Sequence, residues 1–271
     1  MRVPYIDLKV QYLEMKDELL QAVMRVLDSQ QFISGQNPFV AELEKAVAAF
    51  CGVKHGCALN SGSDALLLML KLAGVGEGDE VITTPFTFFA TAGAIVRAGA
   101  RPVFCDIDAH SYNIDPAGIE RLITPRTRAI LPVHLFGQCA EMDPINEIAR
   151  RHNLAVLEDA AQAIGSTYRG RKACALGNAG ILSFYPTKNL GGIGEGGMLL
   201  TNDDDMAARA MRLRNHGQDQ LGSYLHHEVG WNCRLNAIQA AALSARLPYL
   251  PRWTTLRQRH AARYNEAFAH L

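Results

Sequence analysis

The 271-residue chain predicts an α/β fold, a mostly parallel sheet sandwiched by helices. Three observations carry this expectation. Short β-branched apolar runs alternate with longer amphipathic ones. The connections between them are short. No internal repeat and no low-complexity linker divides the chain. Taken in order, HGCAL (55–59) is strand-like and runs into a helix over Ser63–Leu72. EVIT (Glu80–Thr83) is a strand, followed by a helix over Thr87–Ala98. RPVFC (Arg101–Cys105) and AILPV (Ala129–Val133) are strands, with a helix over Pro116–Leu122 between them. Met142–His152 is a helix, and Ala155–Glu158 is the next strand.

Beyond Asp159 the rhythm changes. Gly180–Phe184 and Gly197–Thr201 are apolar runs separated by glycines and read as neighbouring strands. Asp203–Asn215 has an acidic start and a basic end, which suits a helix macrodipole. Asn236–Leu247 is a further helix, and Arg252–Leu271 reads as one terminal helix. The expected organisation is a major domain over residues 1–250, with an N-terminal helical segment, and a helix over 251–271 leading into a C-terminal domain that is largely absent.

Composition narrows the function. The chain is 48% hydrophobic and 20% charged, with 27 basic and 27 acidic side chains, so it is able to bury a core. That balance gives no reason to expect a nucleic-acid or anionic-membrane partner. The N-terminal stretch has no apolar signal core, and the run Ala65–Leu70 is too short to span a bilayer. Six cysteines without a CxxC pair predict a reduced, cytoplasmic protein. His226 and His227 lack further ligands at a recognisable spacing, so no metal is expected.

Four stretches fall at strand ends, where ligands gather in such sheets. In NSGSDAL (60–66), Gly62 lets the backbone approach a ligand and the first helical amides suit a phosphate, while Ser61 or Ser63 equally suits a plain helix cap. In VLEDAAQA (156–163) a buried strand ends in Glu158 and Asp159. An acid there is costly without a cationic partner. Asp159 either caps the next turn or pairs with a protonated ring nitrogen. In SFYPTKNLGGIGEGGM (183–198) a single lysine, Lys188, sits on a glycine-rich turn against apolar strands. Desolvation lowers such an amine's pKa and makes it a nucleophile towards an aldehyde, and Ser183 upstream suits a phosphate oxygen. The run Gly192-x-Gly194-x-x-Gly197 fits a dinucleotide fingerprint, but a strand-like MLLT follows it instead of a helix, so that reading is rejected. In PFTFFATA (85–92), Phe88 or Phe89 is placed to stack on a flat ring. A phosphate cradle, an aromatic platform, an acid and an amine together suit pyridoxal 5′-phosphate.

These stretches, with PVHLFGQ, LRNHGQ and GWNCRLNAIQAA in the same order, make the chain resemble the DegT/DnrJ family of nucleotide-sugar aminotransferases, which have the fold type I architecture of aspartate aminotransferase. The resemblance implies that Lys188 holds the cofactor covalently and acts as its base, and that Asp159 pairs with the ring nitrogen. It places Gln162 near the ring hydroxyl, Phe88 on the ring face, and Gly62, Ser63 and Ser183 on the phosphate. It implies that Asn232, in G-x-N-x-R, reaches a neighbouring subunit's phosphate, so that the active unit is a homodimer. It puts His134, His216 and Arg234 near the sugar. Lysine rather than histidine at position 188 favours transamination over dehydration. The expected reaction moves an amino group from an amino acid, glutamate, to a nucleotide-linked keto-sugar. The rivals are a keto-cyclitol acceptor or a non-catalytic cofactor-binding or regulatory protein. Family members continue for roughly another hundred residues, the size of a small domain.

Overall fold

The computed structural model describes residues 4, 6–33, 37–218 and 224–270. Leu271 of the expected terminal helix therefore lies outside the described residues. In chain order the elements are α1 (Lys9–Glu14), α2 (Lys16–Ser29), α3 (Pro38–Cys51), β1 (His55–Leu59), α4 (Gly62–Leu72), β2 (Glu80–Thr83), α5 (Phe89–Arg97) and β3 (Arg101–Phe104). They continue with α6 (Pro116–Ile119), β4 (Thr127–Ile130), α7 (Met142–His152), β5 (Ala155–Asp159), β6 (Thr167–Tyr168), β7 (Arg171–Lys172), β8 (Ala179–Ser183), β9 (Gly197–Thr201), α8 (Asp204–Leu213), α9 (Ala237–Arg246) and α10 (Leu250–Ala267).

Seven strands form one sheet in the order β1-β9-β8-β5-β4-β2-β3. The five from β8 to β3 are parallel, and β9 runs antiparallel to both its neighbours. The predicted sheet class is therefore present. Side chains alternate between the two faces of the sheet. On β5, Val156 packs with residues of α3 and α7, whereas Leu157 packs with residues of α4 and α5. Two residues further on, Glu158 shares the face of Val156, and Asp159 shares that of Leu157. On β8, Ile181 lies in the α4 layer and Leu182 in the α3 layer, so Ser183 shares the face of Asp159. Period two alone thus brings Asp159 and Ser183 to one side of the sheet, beside the N-terminus of α4.

An ion pair buried between layers anchors the first strand. Glu44 on α3 pairs with Arg214 after α8. Glu44 also accepts from the Ala58 amide at 2.8 Å, and Arg214 donates to the Ala58 carbonyl at 2.9 Å. β1 is thereby fixed just before it delivers the chain to Ser61.

Several element ends shift by a few residues, and four of the differences have a clear local origin or consequence. β4 covers Thr127–Ile130 instead of Ala129–Val133, because Pro132 has no amide hydrogen to extend the ladder; Val133 forms only an isolated bridge to Asp159. The helix expected from Thr87 begins at Phe89, since Phe88 is extended (φ −71°, ψ 145°). Pro116–Leu122 is four α-helical residues followed by a 3-10 turn. The terminal helix starts at Leu250, two residues early, with Trp253 buried against Met15, Leu19 and Ala242. The β6–β7 hairpin is an addition. Its turn residues Arg169 (φ 48°) and Gly170 (φ 81°) are both left-handed, as a tight two-residue hairpin requires.

Candidate active site

A cavity of about 540 Å³ opens at the carboxyl ends of β5 and β8. Its lining includes Gly62, Ser63, Phe88, Asp159, Ser183 and Lys188, which fall in the four strand-end stretches, and Gln162, which the family resemblance had added. Ser61 caps α4, its hydroxyl accepting from the Asp64 amide at 3.1 Å. The following turn meets the sheet closely. A β-carbon on Gly62 would lie 2.8 Å from Cβ of Ser183, and one on Gly197 would lie 2.5 Å from the Ser61 carbonyl oxygen. The helix cap and the close approach of Gly62 to Ser183 therefore coexist. Ser61 closes the helix while the amides of its first turn, which have no intrahelical acceptor, open onto the cavity beside Ser183.

Gly62→Ala gives a measurable cost. The extra methyl group overpacks against Ser183 by about 1–3 kcal/mol, which exceeds the helix-propensity gain of up to about 1 kcal/mol. The variant is expected to melt lower than the parent and to bind inorganic phosphate more weakly. An unchanged melting temperature would show that Ser183 moves aside freely.

Asp159 is 5% exposed. Its Oδ2 accepts from Thr91 Oγ1 at 2.7 Å and its Oδ1 from the Ala161 amide at 3.1 Å. Burial pushes its carboxyl above the ordinary range, and the Thr91 and Ala161 hydrogen bonds oppose that. The Ala161 bond is the turn cap foreseen from the sequence. It leaves the carboxylate facing the cavity with Lys188 among its neighbours. Lys188 is half-buried, and burial lowers its pKa against the opposing charge of Asp159.

The lysine loop is tight because backbone meets backbone. The Lys188 amide donates to the Tyr185 carbonyl at 2.8 Å, and the Gly192 amide to the Phe184 carbonyl at 2.7 Å. A β-carbon on Gly191 would collide with the Pro186 carbonyl. α9 grips the loop from outside. Gln239 Oε1 accepts from the Ile193 amide at 2.9 Å, and the buried Arg246 donates to the carbonyls of Gly191 and Gly192. Thr91, Gln239 and Arg246 were not found from the sequence. The last two lie on one helix, seven residues apart and so on one face. That spacing was visible, but nothing in it named a loop about fifty positions upstream.

Phe88 lines the cavity and is 69% exposed, so it is no core residue. Gln162 lines it with Oε1 accepting from the Phe136 amide at 3.0 Å. The residues expected near a sugar do not converge there. His134 is fully buried and is not part of the cavity lining. The Ala140 amide donates to Nδ1 at 3.1 Å, so the ring proton sits on Nε2 and is given to Glu158 at 2.9 Å. Both ring nitrogens are thus engaged within the protein. Glu158, also fully buried, further accepts from the amides of Cys174, Leu176 and Gly177, each at 2.7 Å. His216, exposed at φ 60°, and Arg234, bonded to Asn215, stand outside the cavity lining, as does the exposed Asn232, which bridges to Asn215.

Among the described residues no helix is long and apolar enough to cross a membrane. The sequence model of the DegT/DnrJ/EryC1/StrS aminotransferase family matches residues 13–271. The chain is 52% identical over 264 residues to a pleiotropic regulatory protein of Geobacillus stearothermophilus, covering 97% of this chain and 70% of that one. It is 45% identical over 263 residues to UDP-2-acetamido-2-deoxy-3-oxo-D-glucuronate aminotransferase of Pseudomonas aeruginosa, covering 97% and 72%. Among solved structures, S. venezuelae DesV in complex with a ketimine intermediate superposes with a TM-score of 0.95 at 44% identity, over 99% of this chain and 71% of that chain.

Proposed function

The chain belongs to the DegT/DnrJ/EryC1/StrS aminotransferase family, and on that premise we propose that it uses pyridoxal 5′-phosphate to move an amino group from glutamate to a keto-sugar carried on a nucleotide. The residues present fit the cofactor. A β-carbon on Gly62 would collide with Ser183, so the first turn of α4 packs directly against the end of β8 and brings its amides and the Ser183 hydroxyl to one cavity wall, which suits a phosphate. A buried carboxylate with Lys188 among its charged neighbours stands in the same cavity. The cavity's volume is within the range of small-molecule sites.

Gly62, Ser63 and Ser183 would hold the phosphate, Phe88 the ring face, Gln162 the ring hydroxyl, Asp159 the ring nitrogen and Lys188 the aldehyde carbon. When bound, the cofactor supplies an aldehyde and a protonated ring that draws electrons from the carbon losing its proton. Lys188 carries that proton. Its lowered pKa leaves more of it as free amine near neutral pH, which is what a general base needs. Asp159 keeps the ring nitrogen protonated and is itself held in orientation by Thr91 and Ala161. The Gly191–Ile193 loop, gripped by Gln239 and Arg246, limits the positions the amine can take. Asn232, Arg234 and His216, outside their own cavity, support a homodimer in which they complete the partner's site. The UDP-sugar aminotransferase relative supports a nucleotide-linked acceptor.

The observation that carries the reading is Lys188 facing the buried Asp159 across a cavity floored by the Gly62–Ser183 contact. A half-reaction tests it. Glutamate added to the cofactor-loaded protein should abolish the visible absorbance of the lysine-bound cofactor and release about one equivalent of 2-oxoglutarate per site. The Geobacillus relative, a pleiotropic regulatory protein, favours a second reading, a cofactor-binding regulator. A stable visible band despite bound cofactor would select it.

A further inference from the structure

Lys188 stands in the wall between two cavities. The second, of about 630 Å³, lies on the other side of the lysine loop and shares Gln162, Thr187 and Lys188 with the first. Its far wall is α10, which contributes Thr254, Arg257, Gln258 and Ala261. These four sit at i, i+3, i+4 and i+7, so one helical face is turned to the cavity. Trp253, buried against α2 and α9, holds the start of α10 in place.

The two cavities differ in charge. The first holds Asp159 and Glu195 against Lys188. The second holds Arg257 and Lys188 and no carboxylate, and the rest of its polar lining consists of hydroxyls and amides such as Ser166 and Gln258. Arg252, one turn earlier on α10, pairs with Glu14. Arg257 has no ion pair among the described residues. Its side chain is exposed, and the desolvation it does undergo beside the cavity draws the guanidinium pKa down. A guanidinium facing a cavity whose lining holds no carboxylate favours an anionic ligand, and its geometry is suited to a planar or tetrahedral oxyanion.

We propose that this second cavity is an anion subsite in which Arg257 binds the charged substituent of the molecule that reacts beside Lys188. The inference rests on the transaminase reading and deepens it. Two substrates of that reaction bring such a group close to the reacting carbon: the carboxylates of the amino donor and the diphosphate next to the sugar. Both are oxyanions able to accept two hydrogen bonds from a guanidinium.

The test uses cofactor-saturated protein, with glutarate and UDP as probes in separate calorimetric titrations of the parent, Arg257→Lys and Arg257→Gln. Cofactor uptake is followed by absorbance and folding by thermal melting. The parent should bind at least one probe. Arg257→Gln should weaken that binding by about 10–100-fold, and Arg257→Lys by less, with cofactor uptake and melting unchanged. Weakening for glutarate alone assigns the subsite to the donor carboxylate, and weakening for UDP alone assigns it to the diphosphate. Equal affinity in parent and Arg257→Gln, or no binding of either probe to the parent, overturns the proposal while normal cofactor uptake leaves the transaminase reading standing. Failure of the parent to take up cofactor overturns both.

Discussion

Lys188→Ala is expected to fold, to bind pyridoxal phosphate without any visible lysine-linked absorbance, and to lose transfer activity. The loss of proton transfer alone removes about 10²–10⁴-fold in rate, and loss of the covalent attachment adds to it. Folding should survive because the amine makes no hydrogen bond that the fold needs; the loop is closed by backbone bonds from Lys188 and Gly192 and by the Gln239 and Arg246 grip. The pH dependence of stability offers a second reading of the same residue. Burial lowers the pKa of Lys188 in the folded chain, so the unfolded chain binds the proton more tightly. Stability of the cofactor-free parent therefore rises as the pH climbs through the folded value towards the ordinary lysine range. Melting curves of parent and variant between neutral and alkaline pH should differ by that rise, with the alanine variant lacking it. A variant that keeps the visible band would place the attachment on another lysine.

Much of this site was legible because strand ends are legible. Asp159 and Ser183 close apolar runs, Gly62 and Ser63 open a helix, and period two then sets both strand-end side chains on the α4 face. Met142–His152 and Gly197–Thr201 were read with their observed bounds because acidic and basic ends mark the first and flanking glycines the second. What escaped were the supports. Thr91 meets Asp159 across 68 positions, Gln239 meets Ile193 across 46, and Arg246 meets Gly191 across 55. No local pattern encodes such pairs. His134 illustrates the converse. A histidine after an apolar strand reads alike whether it faces a substrate or a buried acid. Only the end of β4 at Ile130 and the chain reversal to Ala140 decide that it faces Glu158.

Asp159→Asn should separate stability from function in opposite directions. In the cofactor-free chain burial raises the pKa of Asp159, so the folded state holds its proton more tightly than the unfolded state. The stabilisation that follows is fully present below the unfolded carboxylate range and is lost as the pH rises through the folded value. At neutral pH the ionised group is thus a cost to the empty protein, and the asparagine variant removes the charge while keeping the shape. Its amide oxygen can accept from Ala161, and its amide nitrogen can donate to the Thr91 hydroxyl, which works as donor or acceptor. The empty variant should therefore melt above the empty parent at neutral pH, by about 2–4 °C for each kcal/mol relieved, and the gap should close on acidification. Cofactor should reverse the order. The parent gains a cationic ring nitrogen beside its carboxylate and with it a large ligand-induced rise in melting temperature, whereas the variant gains little and transfers about 10²–10³-fold more slowly. Equal melting of the two empty proteins at every pH, together with equal transfer rates, would mean that this carboxylate is an ordinary turn cap. The cost carried by the empty fold and the stabilisation expected on cofactor binding come from one charge in one place, which is why a single substitution is expected to move both.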